Sequence, residues 1–267
     1  MDKLYQRNLI KDKIQDYILY FIYNSKDFKN LIFTGGTCLR KLYKLPRLSE
    51  DIDLDYEKQF DIDIFCKKIT SYFYSLKTIP LPKIKIANNK KTVFFKFLAK
   101  DFLKEETIQP NEIIFVRCDF RLIDNSFYKT EINPYSFDNF NFFVKNYDLS
   151  TLFANKLSAF LERDFFKDKR QKIAFKGRDV FDIFWFLDLS AKTGFNFRPN
   201  WLIIQKNFPG LKKEDFIQKV KEKITLIDKK DVYLDLFPFI SDKNYLDNFL
   251  NNFQKFIKQK IIFLKEN

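Results

Sequence analysis

The sequence predicts an α+β fold, with an α/β part at residues 1–147 and a helical part at residues 148–267. Two observations support this division. Before residue 148, short apolar runs and runs that alternate between apolar and polar residues are typical of strands. After residue 148, apolar residues recur at steps of three and four, as they do in helices. Strands in the first half followed by helices in the second indicate an α+β architecture.

The α/β part contains helical and strand patterns in alternation. Helices are expected at residues 3–24, 38–43 and 60–76, and strands at residues 31–33, 51–55, 83–87, 92–99, 112–123 and 140–145. Pro46 prevents the second helix from continuing and opens a loop at residues 45–50. Residues 88–90 are expected to form a hairpin turn between two of the strands.

The helical part contains four periodic segments. Helices are expected at residues 152–163, 179–191, 213–224 and 245–264. Ser150 is the predicted cap of the first helix, because serine accepts hydrogen bonds from free N–H groups at a helix start. Gly177 precedes the second helix.

Composition limits the chemistry of the chain. Its formal net charge of +13 favours a polyanionic partner such as nucleic acid or a nucleotide. The absence of histidine excludes His-based general-base catalysis and zinc sites that need imidazole. The three cysteines lack the close pairing of a zinc site, so a metal site must use oxygen ligands, which suits Mg²⁺ or Mn²⁺. No run has the pattern of a signal peptide or a membrane span, so a cytoplasmic location without a membrane partner is expected.

A glycine pair and an acid pair lie close together in the chain. Gly35, Gly36 and Thr37 follow the first strand, and glycines there let backbone N–H groups approach phosphate oxygens. A helix that starts at this point adds its positive dipole end. Asp51 and Asp53 project from one side of the next strand, about 6 to 7 Å apart. Such carboxylates repel each other unless a divalent cation lies between them. The stretch therefore predicts a site for a nucleoside triphosphate (NTP) and metal ions.

Three further residues of this part are candidates for the same site. Asp119 lies in the middle of an apolar strand and is a candidate third metal ligand. The alternative is a structural ion pair with Arg117 or Arg121 on the same face. Arg40 and Arg47 lie between the glycine pair and the acid pair, where they would contact phosphates or be solvated.

The helical part offers a lysine and two carboxylates. Lys156 falls inside the apolar stripe of the helix at residues 152–163, where a lysine either reaches out to solvent or meets an anion such as a triphosphate. Asp179 and Asp182 are three residues apart and share a face of the next helix. A carboxylate near Lys156 could orient it or accept a proton from an incoming hydroxyl. The alternative is an interhelical salt bridge.

Two segments resemble the motifs of a known family. The first is GGTCLRKLYKLPRLSEDIDLDY, a Gly-Gly turn before a Ser-x-Asp-x-Asp-like strand. The second is NKLSAFLERDFFKDKRQKIAFKGRDVFDIFWFL, a Lys followed by Ala and Arg, then Arg-Asp and a further Asp. In this order and spacing, they resemble the AbiEii/AbiGii nucleotidyltransferase toxins, including MenT-like toxins. The matches span residues 31–190, and Cys38 stands where the family often has Ser or Ala.

The resemblance implies a polymerase-β-like nucleotidyltransferase core, a mixed sheet with flanking helices, whose active-site cleft the C-terminal helical part completes. It also implies the toxin of a type IV-like toxin–antitoxin or phage-defence pair, with an AbiEi-like antitoxin encoded nearby. Relatives transfer nucleotides to RNA, notably to tRNA acceptor ends. The resemblance carries over Gly35, Gly36 and Thr37 for the triphosphate, Asp51 and Asp53 for magnesium, Lys156 for phosphate, and Asp179 or Asp182 as the late catalytic acid.

Three alternatives remain open on the sequence. The chain could transfer a nucleotide to a protein or a small molecule, as antibiotic-modifying relatives of the fold do. It could be a catalytically silent RNA-binding protein that keeps the fold. It could also be an interaction module in which all of these charges form surface ion pairs.

Overall fold

The computed structural model describes residues 2–58, 60–103, 109, 111–124, 127–163, 165–168, 171–173, 175–194 and 197–264. The chain divides into two compact units. Unit 1 comprises Met1–Ser126 and Thr130–Tyr147, and unit 2 comprises Phe127–Lys129 and Asp148–Asn267.

Unit 1 is built around one mixed sheet of seven strands in the order β3-β4-β5-β2-β1-β7-β6. Its elements are α1 (Lys3–Asn24), β1 (Ile32–Thr34), α2 (Gly35–Tyr43), β2 (Asp51–Tyr56), α3 (Ile62–Ser75), β3 (Lys83–Ala87), β4 (Thr92–Leu98), β5 (Ile113–Leu122), β6 (Thr130–Phe137) and β7 (Phe140–Tyr147). β2 is parallel to β5 and β1 is parallel to β7, whereas the other neighbours are antiparallel. The mixed sheet with flanking helices confirms the expected fold class.

The central strands have one apolar and one polar face. In β5, the side chains of Ile114, Val116, Cys118 and Phe120 are buried, while the residues between them are more exposed. In β2, Ile52 is fully buried and its neighbours on either side are not. Because side chains alternate along a strand, this pattern places the charged residues of both strands on the face opposite the core.

Two features of unit 1 differ from the sequence prediction. The second helix begins at Gly35, not at residue 38, so the glycine pair forms the first turn of α2. Gly35 has φ +78°, which lets the chain pass from the extended Thr34 into the helix. Strand β6 is not apparent from the sequence, because it is an edge strand with little buried apolar surface and contains Pro134. The hairpin turn at residues 88–90 is confirmed by three positive φ angles between β3 and β4.

Unit 2 is mainly helical. Its elements are α4 (Leu149–Glu162), β8 (Phe165–Asp168), β9 (Gln171–Ile173), α5 (Gly177–Lys192), α6 (Trp201–Asn207), α7 (Lys213–Thr225), α8 (Lys229–Leu236) and α9 (Lys243–Lys260). β8 and β9 pair as an antiparallel ribbon that the sequence did not predict. The sequence pattern does not predict α6 and α8 either, because helices of seven and eight residues are too short for a clear apolar period.

The cap of α4 is Asp148 and not the predicted Ser150. Asp148, not Ser150, precedes the helix with extended backbone angles, and its carboxylate accepts a hydrogen bond of 2.8 Å from the N–H of Thr151. Ser150 is the second residue of the helix itself. Within the described residues, no helix combines the length and the apolar character needed to cross a membrane.

Candidate active site

The glycine pair at the start of α2 is packed against two charged side chains of unit 1. A Cβ atom on Gly35 would overlap Oδ2 of Asp53, and one on Gly36 would lie 2.8 Å from Nη2 of Arg47. Glycine is therefore required at residue 35 both for its positive φ and because the Asp53 carboxylate approaches the bare Cα. The turn expected to approach phosphates thus also touches one of the predicted metal ligands.

The strand register brings the candidate metal ligands into two neighbouring strands. In the parallel pair of β2 and β5, Asp51 is opposite Arg117 and Asp53 is opposite Asp119. Asp51 and Asp53 share a face because they are two residues apart on β2. The structure therefore brings all three predicted carboxylates to one face of the sheet.

Arg117 pairs with two of these three carboxylates. Its Nη2 donates a hydrogen bond of 2.6 Å to Oδ2 of Asp51, and its Nε lies 2.9 Å from Oδ2 of Asp119. Asp119 also accepts a hydrogen bond of 2.7 Å from the hydroxyl of Thr92 on β4. The ion pair that was the alternative for Asp119 is therefore present, and its role as a metal ligand stays a prediction.

The last acid of the β2 strand has a different environment. Asp55 is buried and accepts two hydrogen bonds from the guanidinium of Arg121, at 2.9 and 2.6 Å. It accepts a third, of 2.8 Å, from the hydroxyl of Tyr147. A carboxylate satisfied in this way stabilises the sheet, because its charge is balanced within the fold.

The carboxylates of Asp51, Asp53 and Asp119 are the type of ligand that binds a hard divalent cation. Their oxygens are nevertheless not grouped around a single point where an ion would lie. Burial is the main cause that raises the pKa of the Cys118 thiol, and the charges of Asp119, Asp51 and Asp53 raise it further. The three carboxylates thus create a negative potential at this end of the sheet, and carboxylate oxygens are the ligands that Mg²⁺ and Mn²⁺ prefer. The described residues contain no ready group of three or more acidic or cysteine side chains that could hold a metal ion. The carboxylates of Asp51 and Asp53 have the chemistry that a cation needs, and Arg117 competes with it for Asp51.

Three other candidates in unit 1 have structural contacts of their own. Thr37 is fully buried and its hydroxyl donates a hydrogen bond to the backbone carbonyl of Asp51, which ties α2 to β2. Arg47 is only 3% exposed, and its Nη1 donates a hydrogen bond of 2.9 Å to the carbonyl of Leu48. Nε of Arg40 lies 3.7 Å from Oδ1 of Asp12 on α1. Their contacts with a nucleotide stay predictions.

Unit 2 brings together the other predicted residues. Nζ of Lys156 on α4 lies 2.7 Å from Oδ2 of Asp182 and 3.8 Å from Oδ1 of Asp179, both on α5. Asp182 is fully buried and Asp179 nearly so. The lysine in the apolar stripe therefore meets anions within its own unit, as an interhelical salt bridge.

The cluster contains a further cation, Arg163, which is the Arg that follows Lys156 and Ala159 in the second family-like motif. Nε of Arg163 lies 2.9 Å from Oδ2 of Asp179. Arg163 follows Lys156 by seven residues, or two helical turns, so this spacing could have placed it on the same face. Burial first, and then the charges of Arg163 and Arg178, lower the pKa of Lys176. Cations therefore surround Asp179 on more than one side.

Arg178 precedes Asp179 in the chain, but its contacts are with Asp235 and Phe239. Its backbone N–H donates a hydrogen bond of 2.9 Å to Asp235 of α8, and its guanidinium lies 4.5 Å from the ring centroid of Phe239. A Cβ on Gly177 would lie 2.8 Å from the carbonyl oxygen of Val232. The Gly-Arg start of α5 therefore serves the packing of α5 against α8.

A family model described as nucleotidyl transferase AbiEii toxin, type IV TA system, matches residues 17–258 of the chain. This match covers both units and all of the candidate residues. A comparison with curated protein sequences gave no match.

Several solved structures are similar to the chain. MenT4, a nucleotidyltransferase toxin from Mycobacterium tuberculosis H37Rv, is 12% identical with a TM-score of 0.60, and the match covers 100% of this chain and 86% of that chain. A putative nucleotidyltransferase from H. pylori is 16% identical with a TM-score of 0.50, covering 100% of each chain. JHP933 from Helicobacter pylori is 17% identical with a TM-score of 0.49, covering 97% of this chain and 94% of that one. At such identities, the similarity to MenT4 shows the fold, which is the expected α+β nucleotidyltransferase fold.

Proposed function

Because the chain belongs to the AbiEii family of nucleotidyltransferase toxins, we propose that it transfers nucleotides from an NTP to RNA, with a tRNA acceptor end as the acceptor. The observation that carries this proposal is the strand register of unit 1, which sets Asp53 beside Asp119 and directly against Gly35. The candidate metal ligands therefore lie next to the glycine turn that is predicted to contact the triphosphate. Nucleotidyl transfer requires metal ligands and phosphate contacts at the same site.

The proposed reaction is a displacement at the α-phosphorus of the NTP. The acceptor hydroxyl oxygen forms a bond to the α-phosphorus, the bond to the bridging oxygen of the β-phosphate breaks, and pyrophosphate leaves. Asp51 and Asp53 would hold Mg²⁺ or Mn²⁺, which supplies positive charge to the triphosphate when bound. Gly35 and Gly36 would let backbone N–H groups at the start of α2 approach phosphate oxygens, and Thr37 holds α2 against β2.

In this proposal, unit 2 provides a lysine that contacts phosphate and a carboxylate that accepts a proton. Lys156 would exchange part of its pairing with Asp182 and Asp179 for a phosphate oxygen, since an ammonium group holds several anionic oxygens at once. One of these two aspartates would then be released to accept the proton of the acceptor hydroxyl. The expectation that this helical part completes the active-site cleft is retained as a prediction.

The charge balance supports a polyanionic acceptor. The chain carries 48 Lys and Arg against 35 Asp and Glu, and a net charge of +13 attracts RNA more strongly than a neutral small molecule. A cytoplasmic location, where NTPs and tRNA are available, belongs to the same proposal.

Membership of a type IV toxin–antitoxin family implies an antitoxin partner. We further propose that this antitoxin is AbiEi-like, is encoded next to the toxin gene, and acts with it in phage defence. A neighbouring gene for a small DNA-binding repressor would support this assignment. Its absence from the neighbourhood of several close homologues would contradict it.

The test is a transfer assay with the wild type and an Asp53→Asn variant. Each is incubated with Mg²⁺, one labelled NTP at a time, and total tRNA. Asp63→Asn is the matched control, because it removes an equally charged carboxylate from an exposed position of the same unit. We expect label in tRNA with the wild type and the control, and a loss of at least about 10²-fold with Asp53→Asn. Thermal unfolding of all three proteins checks that the fold is kept.

Other outcomes of the same assay separate the alternatives. Label that enters a protein or a small molecule when cell lysate replaces tRNA, and never enters RNA, would establish the transfer chemistry with a different acceptor. No label on any acceptor, combined with tight binding of tRNA, would establish an RNA-binding protein without catalysis. Either result overturns the proposed acceptor or the proposed reaction.

A further inference from the structure

Unit 2 contains a cavity of about 220 Å³ that is separate from the cluster around Lys156. It lies between α6 and α7, close to the loop that joins them. The lining residues are Trp201, Ile204, Gln205, Leu211, Lys213 and Phe216. None of them belongs to the candidate active site. Pockets for drug-sized ligands have volumes of about 300 to 1,000 Å³, so this one suits a single ring system.

Aromatic and aliphatic side chains form the walls of the cavity. The rings of Trp201 and Phe216 lie edge to face with centroids 5.8 Å apart, and Phe208 supports Phe216 at 5.4 Å. Phe216 and Ile204 are almost completely buried, whereas Trp201 is partly exposed. Rigid aromatic walls with one partly open ring offer a planar ligand a surface to stack on.

The polar groups of the cavity are cationic and amide groups. Nζ of Lys213 lies over the face of Trp201, 5.0 Å from the ring centroid. Burial and then the positive charge of Arg198 lower the pKa of Lys213, and the opposite effect of Glu214 is smaller. Arg198 thus adds a second positive charge near Lys213, and two neighbouring cations favour an anionic group on a ligand bound here. Gln205 adds an amide that can both donate and accept hydrogen bonds.

We propose that this cavity binds the base of a nucleotide between its aromatic walls, with the sugar at the opening and the phosphate beside Lys213. A nucleoside monophosphate has the required combination of a planar ring with hydrogen-bonding edges and an attached anion. The same unit occurs as a free nucleotide and as an unpaired nucleotide of an RNA chain. The proposal goes beyond the transfer reaction, because binding here requires neither Asp51 nor Asp53.

Tryptophan fluorescence gives a direct readout. The chain has two tryptophans, so Trp185→Phe leaves Trp201 as the single reporter. The probes are the four nucleoside monophosphates, the corresponding nucleosides, and short unstructured RNA oligonucleotides. We expect saturable quenching by at least one monophosphate, with about tenfold weaker binding of its nucleoside because the phosphate contact is lost. Isothermal titration of the unmodified chain with the same monophosphate checks that Trp185→Phe has not altered the site.

Two further variants test the geometry. Lys213→Gln should weaken the binding of the monophosphate about tenfold and leave that of the nucleoside unchanged. Lys212→Gln is the matched control, because it removes the same charge from the preceding exposed residue. Binding that is equally tight for monophosphate and nucleoside, or equally weakened by both variants, would overturn the proposal, as would the absence of saturable quenching by every probe.

The same titrations identify the source of the nucleotide. Tighter binding of an RNA oligonucleotide than of its component monophosphates identifies an RNA chain as the occupant, and the reverse order identifies a free nucleotide. The Asp53→Asn variant should bind the probes as the wild type does. A failure of nucleotide transfer therefore leaves this result intact, and a failure of binding here leaves the transfer reaction intact.

Discussion

At the residue scale, the candidate site depends on two close approaches to the start of α2. Asp53 lies against Gly35, and Arg47 lies against Gly36. Gly35 also has a positive φ. Glycine is therefore needed at this position for two reasons, the backbone conformation and the absence of a Cβ that would overlap Asp53. The carboxylate position is consequently set by the backbone of the neighbouring helix start.

We expect Gly35→Ala to reduce nucleotide transfer by about 10²-fold, because its Cβ would displace the Asp53 carboxylate and misplaced reactive groups are this costly. Gly210→Ala is the control. Gly210 has φ +79°, which matches Gly35 at +78°, but a Cβ there would meet no atom within 4 Å. Both variants should lose about 1–2 kcal/mol of stability from backbone strain. Equal transfer rates for the two would contradict the proposed role of Asp53.

Arg117 holds the candidate ligands Asp51 and Asp119 in ion pairs that a metal ion must disrupt. We expect Arg117→Gln to tighten Mn²⁺ binding about fivefold in isothermal titration, which corresponds to the loss of a partly exposed ion pair of up to about 1 kcal/mol. Arg121→Gln removes the same charge four residues further along β5 but leaves Asp51 and Asp119 paired with Arg117. If both variants tighten binding equally, net charge rather than competition is the cause.

At the element scale, α4 and α5 are joined by a buried ion-pair cluster. Lys156 contributes from α4, and Asp179 and Asp182 contribute from α5. Charges in a helix interface are costly unless they are paired, so each member depends on the others. The cluster therefore fixes the position of α4 along α5. This structural role does not depend on a role in catalysis.

Lys156→Met should lower the free energy of unfolding by about 3–5 kcal/mol, since it leaves the buried carboxylate of Asp182 without its nearest cation. Lys192→Met is the matched control on α5. Lys192 pairs with Asp188 at 2.6 Å in an exposed i,i+4 arrangement, and its loss should cost about 0.3–0.5 kcal/mol. Urea denaturation measures both. Similar values for the two variants would show that the pairing of Lys156 with Asp182 contributes no more to stability than an exposed ion pair.

At the scale of the whole molecule, the burial of the three cysteines predicts which thiols react while the protein is folded. Cys38 and Cys118 are completely buried in unit 1, and burial raises the pKa of both thiols. Cys66 is half-buried, and burial followed by the charge of Asp63 raises its pKa to about 11. All three are free thiols.

We expect iodoacetamide to modify only Cys66 in the folded protein, and slowly at pH 7, because the reactive thiolate is scarce far below its pKa. The rate should rise about tenfold for each pH unit up to about pH 10. In denaturant, all three cysteines should react. Mass spectrometry of peptides from labelled protein measures the extent at each residue. Rapid labelling of Cys38 or Cys118 under native conditions would show that the core of unit 1 opens readily.

Much of the fold and of the candidate site was predictable from local pattern. The alternation of β2 and β5 placed their charges on one face, and the three-residue spacing in α5 placed Asp179 and Asp182 together, because side-chain direction follows directly from secondary-structure period. The short helices α6 and α8 and the edge strand β6 were not predictable, because their stability comes from packing rather than from an apolar period.

The sequence by itself determined the α+β class, the motif-bearing stretches and the family resemblance, since these depend on residue identity and spacing. Only the tertiary structure decided how the charged residues are paired. Register sets Asp53 beside Asp119 and diverts Arg117 to Asp51, and helix packing sets Lys156 against Asp182. The physical reason is that ion pairs form over a few ångströms in space between residues far apart in the chain, and no local pattern encodes that distance.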